Sequence, residues 1–391
     1  MDGSYEVVIV GGGVVGCAIA YFLTANPDFQ GRVAVVERDP TYTASSSSLS
    51  ASSIRQQFGT PPNIHKSASS IRFLREVRAR LSVEDNVADI GLREPGYLIL
   101  GAPDKRAAFE ARHEVQRGED VPVALLTPEA LAARFPELNV DGVGVGSLGE
   151  ADEGWFDGPG LHQAYRRRAR AQGAVFVNGA VAGFEKAGPR IAAVLLEDGT
   201  RLACGTAVNA AGAWSGAVAR MAGVEVPVVP RKRCIFVVDT PAKLPGGHFL
   251  HDTSGAYIRP EGHLYLCGNT PDVENDVDDF SLEVDHALFD DMIWPALAHR
   301  VPGLERLRLL RSWAGHYDYN VFDHSAIIGP LPDIPNFVMA NGFSGHGMMH
   351  SPATGMGVSE WITYGEYRTL DLSAFRFERI AANQAIPEHV Y

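Results

Sequence analysis

An α/β fold of two interleaved parts is predicted for this 391-residue chain by three observations. The first is a strand, glycine turn, helix and strand between Tyr5 and Glu37. The second is a sheet-like texture from Val226 to about Val321. The third is a strand, glycine loop and helix between Asn336 and Tyr364, which returns the chain to its first part. The length suffices for two domains, and 46% hydrophobic residues suffice for sizeable cores.

Tyr5-Glu6-Val7-Val8-Ile9-Val10 is short, apolar and β-branched, as one buried strand should be. Gly11-Gly12-Gly13-Val14-Val15-Gly16 fits G-x-G-x-x-G, and Cys17 to Leu23 reads as the helix that follows. A second strand, Arg32 to Val36, ends at Glu37, about 20 residues beyond the last glycine. Gly11 permits a tight turn, Gly13 lets the backbone approach a pyrophosphate, and Gly16 lets helix and strand pack closely. The helix N-terminus offers unpaired N–H groups and partial positive charge to phosphates. Glu37 can accept hydrogen bonds from both hydroxyls of a ribose, and its charge repels a 2′-phosphate. A bound dinucleotide is therefore expected, and this stretch alone would accept NAD or FAD.

A formal net charge of -13 and a pI near 5.5 argue against nucleic acid and anionic membranes as partners. The basic run Arg166-Arg167-Arg168-Ala169-Arg170 lies in a helical pattern and reads as a solvated helix face. Cys17, Cys204, Cys234 and Cys267 are far apart, which indicates neither a disulfide framework nor a zinc site and fits a reducing compartment. Val7 to Leu23 is apolar enough to imitate a signal peptide or membrane span. Asp2 and Glu6 precede it, no basic residue does, and glycines interrupt it. A soluble, cytoplasmic protein with no integral membrane segment is the expectation.

Beyond Glu37 comes the serine run Thr43 to Ser53, a flexible linker by composition or, from its place at the cofactor edge, a ligand loop. A helical stretch follows from about Ile64 to Leu81, then a strand, Gly96 to Gly101. Pro128 opens a short helix. Composition changes at the acidic, aromatic turn Glu150 to Asp157, and a helix from about Gly160 to Ala171 leads to the strand Gly173 to Val177. Ala192 to Leu202 reads as a hairpin turning at Asp198-Gly199. Thr206 to Trp214 is a strand running into a small-residue turn. Cys234 to Val238, Ala256 to Arg259 and Leu264 to Cys267 read as strands, and a helix carries Trp294 and Leu297. Asn336 to Ala340 is a strand, Gly342 to Gly347 a glycine loop, and Ser351 to Tyr364 a helix.

The loop Gly342-Phe343-Ser344-Gly345-His346-Gly347 is not a nucleophile elbow, because His346 stands where G-x-S-x-G needs glycine. Its better reading is electrostatic: a glycine loop opening a helix turns N–H groups and positive dipole toward an anion, such as a reduced flavin. His346 and His350 have chelating spacing only if both are helical, and the flanking glycines argue against that, so no metal is expected. Arg55 is either a surface arginine or a carboxylate anchor. Tyr257, Tyr265 and Tyr317 are candidate catalytic residues or plain core aromatics.

The glycine fingerprint, the serine loop leading to Arg55, Asn209-Ala210-Ala211-Gly212-Ala213-Trp214 and the GFSGHG loop occur here in that order. Together they resemble the D-amino acid oxidase/sarcosine oxidase family of FAD enzymes, over nearly the whole chain. Trp313 to Asn320, Gly329-Pro330 and Asp371-Leu372-Ser373 strengthen the likeness. The resemblance implies a Rossmann-type FAD-binding domain and an antiparallel β-sheet substrate domain, the glutathione-reductase-2-like arrangement. Residues 1–85, 146–222 and 322–391 would form the first, and 86–145 and 223–321 the second. By position, Gly11, Gly13, Val14, Val15 and Gly16 would hold the pyrophosphate, Glu37 and Arg38 the adenosine side, and Val181 the adenine. Ser45, Ser46, Ser52, Ala211, Gly212, Trp214, Gly345, His346, Gly347, Met348 and Met349 would line the rest of the cofactor site. Arg55 matches the arginine that holds substrate carboxylate in sarcosine oxidases.

The departures from the family are informative. Gly315 stands where sarcosine oxidases attach flavin through cysteine, and Ser45 to Ser50 stand where other relatives use histidine, so FAD should be noncovalent. Met349 and Tyr265 replace two lysines, the second of which activates oxygen, and Tyr317 replaces the substrate arginine of glycine oxidases. The expected activity is therefore FAD-dependent oxidation of an amino acid or N-alkyl amino acid by hydride transfer to flavin N5. The imine product would hydrolyse. A dehydrogenase with an unidentified acceptor is expected over an oxidase. The alternative is a flavin-holding assembly or scaffold protein with little turnover.

Overall fold

The computed structural model describes residues 3–388, so the outer limits expected for the first domain, at 1 and 391, and Asp2 lie outside the described residues. The strand Gly3–Val10 lies inside an eight-stranded sheet. Along the sheet the order is Ile327–Pro330, Phe337–Asn341, Arg201–Asn209, Gly3–Val10, Val33–Glu37 and Val175–Asn178. The hairpin of Val181–Ala187 and Arg190–Leu196 joins beside Arg201–Asn209. Gly3–Val10 is parallel to both neighbours, with Ile9 opposite Val35 on one side and Val208 on the other. Val7, Val8 and Ile9 are completely buried, because helices and the hairpin cover both faces of this parallel core.

The helices Val14–Ala25, Pro61–Arg75, Gly158–Ala171 and Gly347–Tyr364 share one core. Val14–Ala25 and Gly347–Tyr364 meet through small residues: a Cβ on Gly355 would lie 2.9 Å from the Cβ of Ala18. Gly347–Tyr364 begins four residues earlier than the sequence indicates, so His350 is helical and its N–H donates to His346 O at 3.0 Å. Glycine is tolerated there because first-turn N–H groups need no intrahelical partner. Pro352 lies inside the helix and gives no N–H to Met348 O. The Ser351 hydroxyl donates to that carbonyl instead, at 3.0 Å.

The second eight-stranded sheet runs Arg308–Asn320, Val228–Asp239, Leu264–Asn269, Ala256–Glu261, Phe249–His251, Tyr97–Gly101, Val145–Gly149 and Val123–Leu126. Its pairs are antiparallel apart from Phe249–His251 with Tyr97–Gly101. The strand Val145–Gly149 spans the expected junction at residue 146 and pairs within this sheet. Side chains alternate between faces: Cys234, Phe236 and Val238 pack in the core that includes Leu297, while Ile235 and Val237 lie with Ala51 and Trp313. No helix among the described residues is long and apolar enough to cross a membrane.

Candidate active site

The glycine turn is a backbone cradle. Gly11 has φ +101°, and a Cβ on Gly16 would lie 1.9 Å from Gly11 O, so the turn and the helix approach as only glycine allows. Glu37 braces the turn, its carboxylate accepting from Gly12 N and Asp39 N, each at 2.8 Å. Ser47 Oγ accepts from Val14 N at 2.8 Å, linking the serine loop to the helix N-terminus. Beneath lies His162, fully buried, with Nε2 2.8 Å from Gly12 O. A carbonyl can only accept, so this nitrogen carries the proton. Burial pushes the ring down to about 4, so it is neutral at pH 7.

A cavity lined by residues of both sheets adjoins this cradle. Gly11, Gly13, Val14, Val15, Glu37, Arg38 and Val181 line it, with Ser45, Ser46 and Ser52 of the serine loop. Ala211, Gly212, Trp214, Gly345, Gly347, Met348 and Met349 complete that list, and Tyr257 and Tyr317 close the part formed by the second sheet. The serine loop is tied to that sheet by three donors, Trp313 Nε1 to Leu49 O at 2.9 Å and Arg259 Nε and Nη2 to Ala51 O at 3.0 and 2.5 Å. Gly345 has φ +94°, and a Cβ there would lie 2.4 Å from the Tyr317 ring. Asp318 holds the same loop by accepting from Phe343 N at 3.1 Å, and burial pushes its carboxyl up to about 6.

Four sequence-predicted residues lie off the cavity wall. Gly16 packs under the turn. Tyr265 is on the far face of its strand, donating to Ala242 O at 2.8 Å against the helix-covered core, and is not among the residues lining the cavity. Arg55 is buried, with Nη1 2.5 Å from Gln57 O and Nη2 2.9 Å from His346 Nε2. Each terminal nitrogen thus makes a bond inside the chain. His346 is the partner in that contact and lies behind the glycine loop. His350 Nε2 lies 3.0 Å from Ser67 Oγ. No group of three or more His, Cys, Asp or Glu among the described residues is placed to hold a metal ion.

Sequence reasoning missed Arg233, a residue of the cavity lining whose guanidinium is bonded to both oxygens of Asp276 at 2.6 and 2.7 Å. The signal was the basic triplet Arg231-Lys232-Arg233 and the later acidic group Asp276, Asp278 and Asp279. Glu153 was also missed. It is buried and accepts from Gln56 N and Gln57 N at 2.6 and 3.0 Å, fixing the segment that carries Arg55.

A family model described as DAO, FAD dependent oxidoreductase, matches residues 6–361. The chain is 40% identical to FAD-dependent oxidoreductase domain-containing protein 1 of Xenopus laevis, over 98% of this chain and 84% of that protein. It superposes on L-proline dehydrogenase from P. horikoshii with TM-score 0.85 and 26% identity, covering 98% of this chain and 100% of the other. Glycine oxidase from Geobacillus kaustophilus gives TM-score 0.82 and 25% identity, covering 96% and 98%. The cofactor is FAD, and the cradle fits it: Gly11 and Gly16 admit no Cβ, and Gly11, the helix N-terminus at Val14 and Glu37 line one cavity. The chain belongs to the DAO family of FAD-dependent oxidoreductases.

Proposed function

We propose that this protein oxidises an amino acid or N-alkyl amino acid to an imine, which water then hydrolyses. One observation carries the reading: the cavity that holds Glu37 and the glycine turn also holds a guanidinium, Arg233, and two tyrosines, Tyr257 and Tyr317, on the second sheet. The likeness to L-proline dehydrogenase and glycine oxidase, whose names state amino acid donors, supports the donor class.

FAD, when bound, would supply a two-electron acceptor for the hydride lost from the carbon that bears nitrogen. The amine binds uncharged, because an ammonium has no lone pair to support that loss, and a buried end walled by tyrosines disfavours the cation. Burial pushes both Tyr257 and Tyr317 upward, so they stay protonated and serve as walls and donors rather than bases. Arg55 sets a fixed positive charge behind Tyr317 and positions His346, at the start of the helix Gly347–Tyr364. That helix end turns N–H groups toward negative charge developing in the cavity.

FAD is held without a covalent bond in this reading. Gly315 offers no nucleophile, and none of the four cysteines lines the cavity. Poor reaction with oxygen is supported by the pairing of Arg233, whose charge Asp276 neutralises. The test is an anaerobic screen of amino and N-alkyl amino acids against the purified yellow protein, with bleaching of the flavin band expected for at least one. A protein that never bleaches with any of them overturns the reading and would be a flavin-holding scaffold. Faster reoxidation by a dye than by oxygen is expected of a dehydrogenase.

A further inference from the structure

We infer that Arg233 is the residue that grips the substrate carboxylate, and that Asp276 occupies its place as a built-in carboxylate until substrate displaces it. This rests on the amino acid reading above. Arg233 and Asp276 form a two-pronged pair, the geometry in which a guanidinium receives a free carboxylate. Both side chains are shielded, 6% and 11% exposed, and the guanidinium lies over the Tyr317 ring, 4.8 Å from its centroid. Arg233 lines the cavity together with Tyr257 and Tyr317, and Asp276 is bonded to it there from outside the lining.

Asp276 comes from the segment Thr270–Val284, which is nearly without regular structure and is held to the second sheet largely by charge. Arg231 pairs with Asp278 at 3.1 Å and Lys232 with Asp279 at 2.7 Å. Its larger apolar side chains bury little: Val277 is 64% exposed and Phe280 49%, although Phe280 stacks on Trp214. A segment held this way can open when its charges are matched elsewhere. Asp276 leaving alone would strand a buried guanidinium, which is unfavourable. Exchange for a substrate carboxylate keeps the pairing intact, so opening is coupled to the arrival of a carboxylate. An uncharged ligand lacks this exchange.

The test uses the FAD-loaded protein titrated with acetate, followed by the shift of the flavin absorbance band, with acetamide as the neutral control. Asp276→Asn should lower the apparent Kd for acetate by about tenfold or more, and Arg233→Met should raise it by a similar factor, with acetamide binding unmoved in both. If Arg233→Met does not fold, the double variant Arg233→Met/Asp276→Asn removes both charges together and should show the same weak acetate binding. Unchanged or weaker acetate binding in Asp276→Asn overturns the inference. So does loss of acetate binding on Arg55→Met while the double variant retains it. The readout needs no turnover: acetate effects without bleaching by any amino acid sink only the amino acid reading. Bleaching with KM unmoved in the Arg233 variants sinks only this assignment.

Discussion

Arg55 Nη2 lies 2.9 Å from His346 Nε2, joining residues 291 positions apart behind the glycine loop. A guanidinium only donates, so His346 must be neutral and accept through Nε2. Burial, then the charges of Arg55 and Lys66, push the ring well below its ordinary range, in agreement with that tautomer. The pair ties the loop that ends the serine run to the helix that opens at Gly347.

The bond predicts a contrast between two variants. His346→Gln keeps a carbonyl for the guanidinium and should change stability by less than about 1 kcal/mol, whereas His346→Phe leaves a buried donor unmatched and should cost about 1–3 kcal/mol. Urea unfolding of the FAD-loaded protein measures both. Equal midpoints for the two variants would show that Arg55 does not depend on this acceptor.

Gly345 and Gly347 should differ sharply as alanine. At Gly345 the φ of +94° and the Tyr317 ring 2.4 Å from a new Cβ both oppose a side chain. Gly347 is the first residue of its helix, and a Cβ there meets the Phe343 ring at 3.4 Å, an ordinary contact. Gly345→Ala should cost about 1–3 kcal/mol and weaken FAD binding, while Gly347→Ala should stay within about 1 kcal/mol of the parent. Thermal midpoints and the FAD content of the purified proteins decide it. A Gly345→Ala protein as yellow and as stable as Gly347→Ala would rule out the steric account.

These elements also mark the limit of what the sequence discloses. The strand, turn and helix near Gly11 are legible because their signals are local: a buried apolar run, glycines at fixed spacing, and an acid at the end of the next strand. Tyr265 was misplaced because side chains on a strand alternate. Leu264 and Leu266 flank it on the Ala51 and Trp313 face, and one position decides the side. His162 reaches Gly12 from 150 residues away, and Asp276 reaches Arg233 across 43. Such pairings depend on chain topology, which local pattern does not encode. The helix before Ser351 was missed because Gly347 reads as a breaker, although a glycine at the first position of a helix opposes it little.

Glu153 should make stability fall as pH rises. Burial pushes its carboxyl up to about 7 from an ordinary 4.5, with hydrogen bonds from Gln57 and Gln56 opposing the rise. The folded state therefore holds this proton more tightly than the unfolded chain. Its contribution is complete below about 4.5 and is lost as pH climbs through about 7. Between pH 5.5 and 8 the loss amounts to about 2 kcal/mol. Glu153→Gln cannot ionise, so its stability relative to the parent should improve by about that much over the same interval. Denaturant unfolding at the two pH values gives the difference directly. A parent and variant that keep a constant gap would show that Glu153 is charged throughout.

The end of the described chain bears on the same segment from the other side. Glu388 accepts from Gly59 N at 2.9 Å, from the Thr60 hydroxyl at 3.0 Å and from Asn63 Nδ2 at 3.2 Å. An anion therefore sits on the N-terminus of the helix Pro61–Arg75, just past Arg55 and Phe58, where the helix dipole favours it. The stretch before Glu388 is held in turn by Asp323, which accepts from Ile386 N and Arg379 Nε. Glu388→Ala takes the acceptor from Gly59 N, the Thr60 hydroxyl and Asn63 Nδ2, and removes a negative charge that offsets the buried Arg55 and Lys66. It should cost about 2–4 kcal/mol, and Glu388→Gln about half as much because an amide oxygen still accepts. Limited proteolysis should release the residues after Arg379 faster from the alanine variant than from the parent. Equal cleavage rates together with equal unfolding midpoints would mean that the helix start is secured without Glu388.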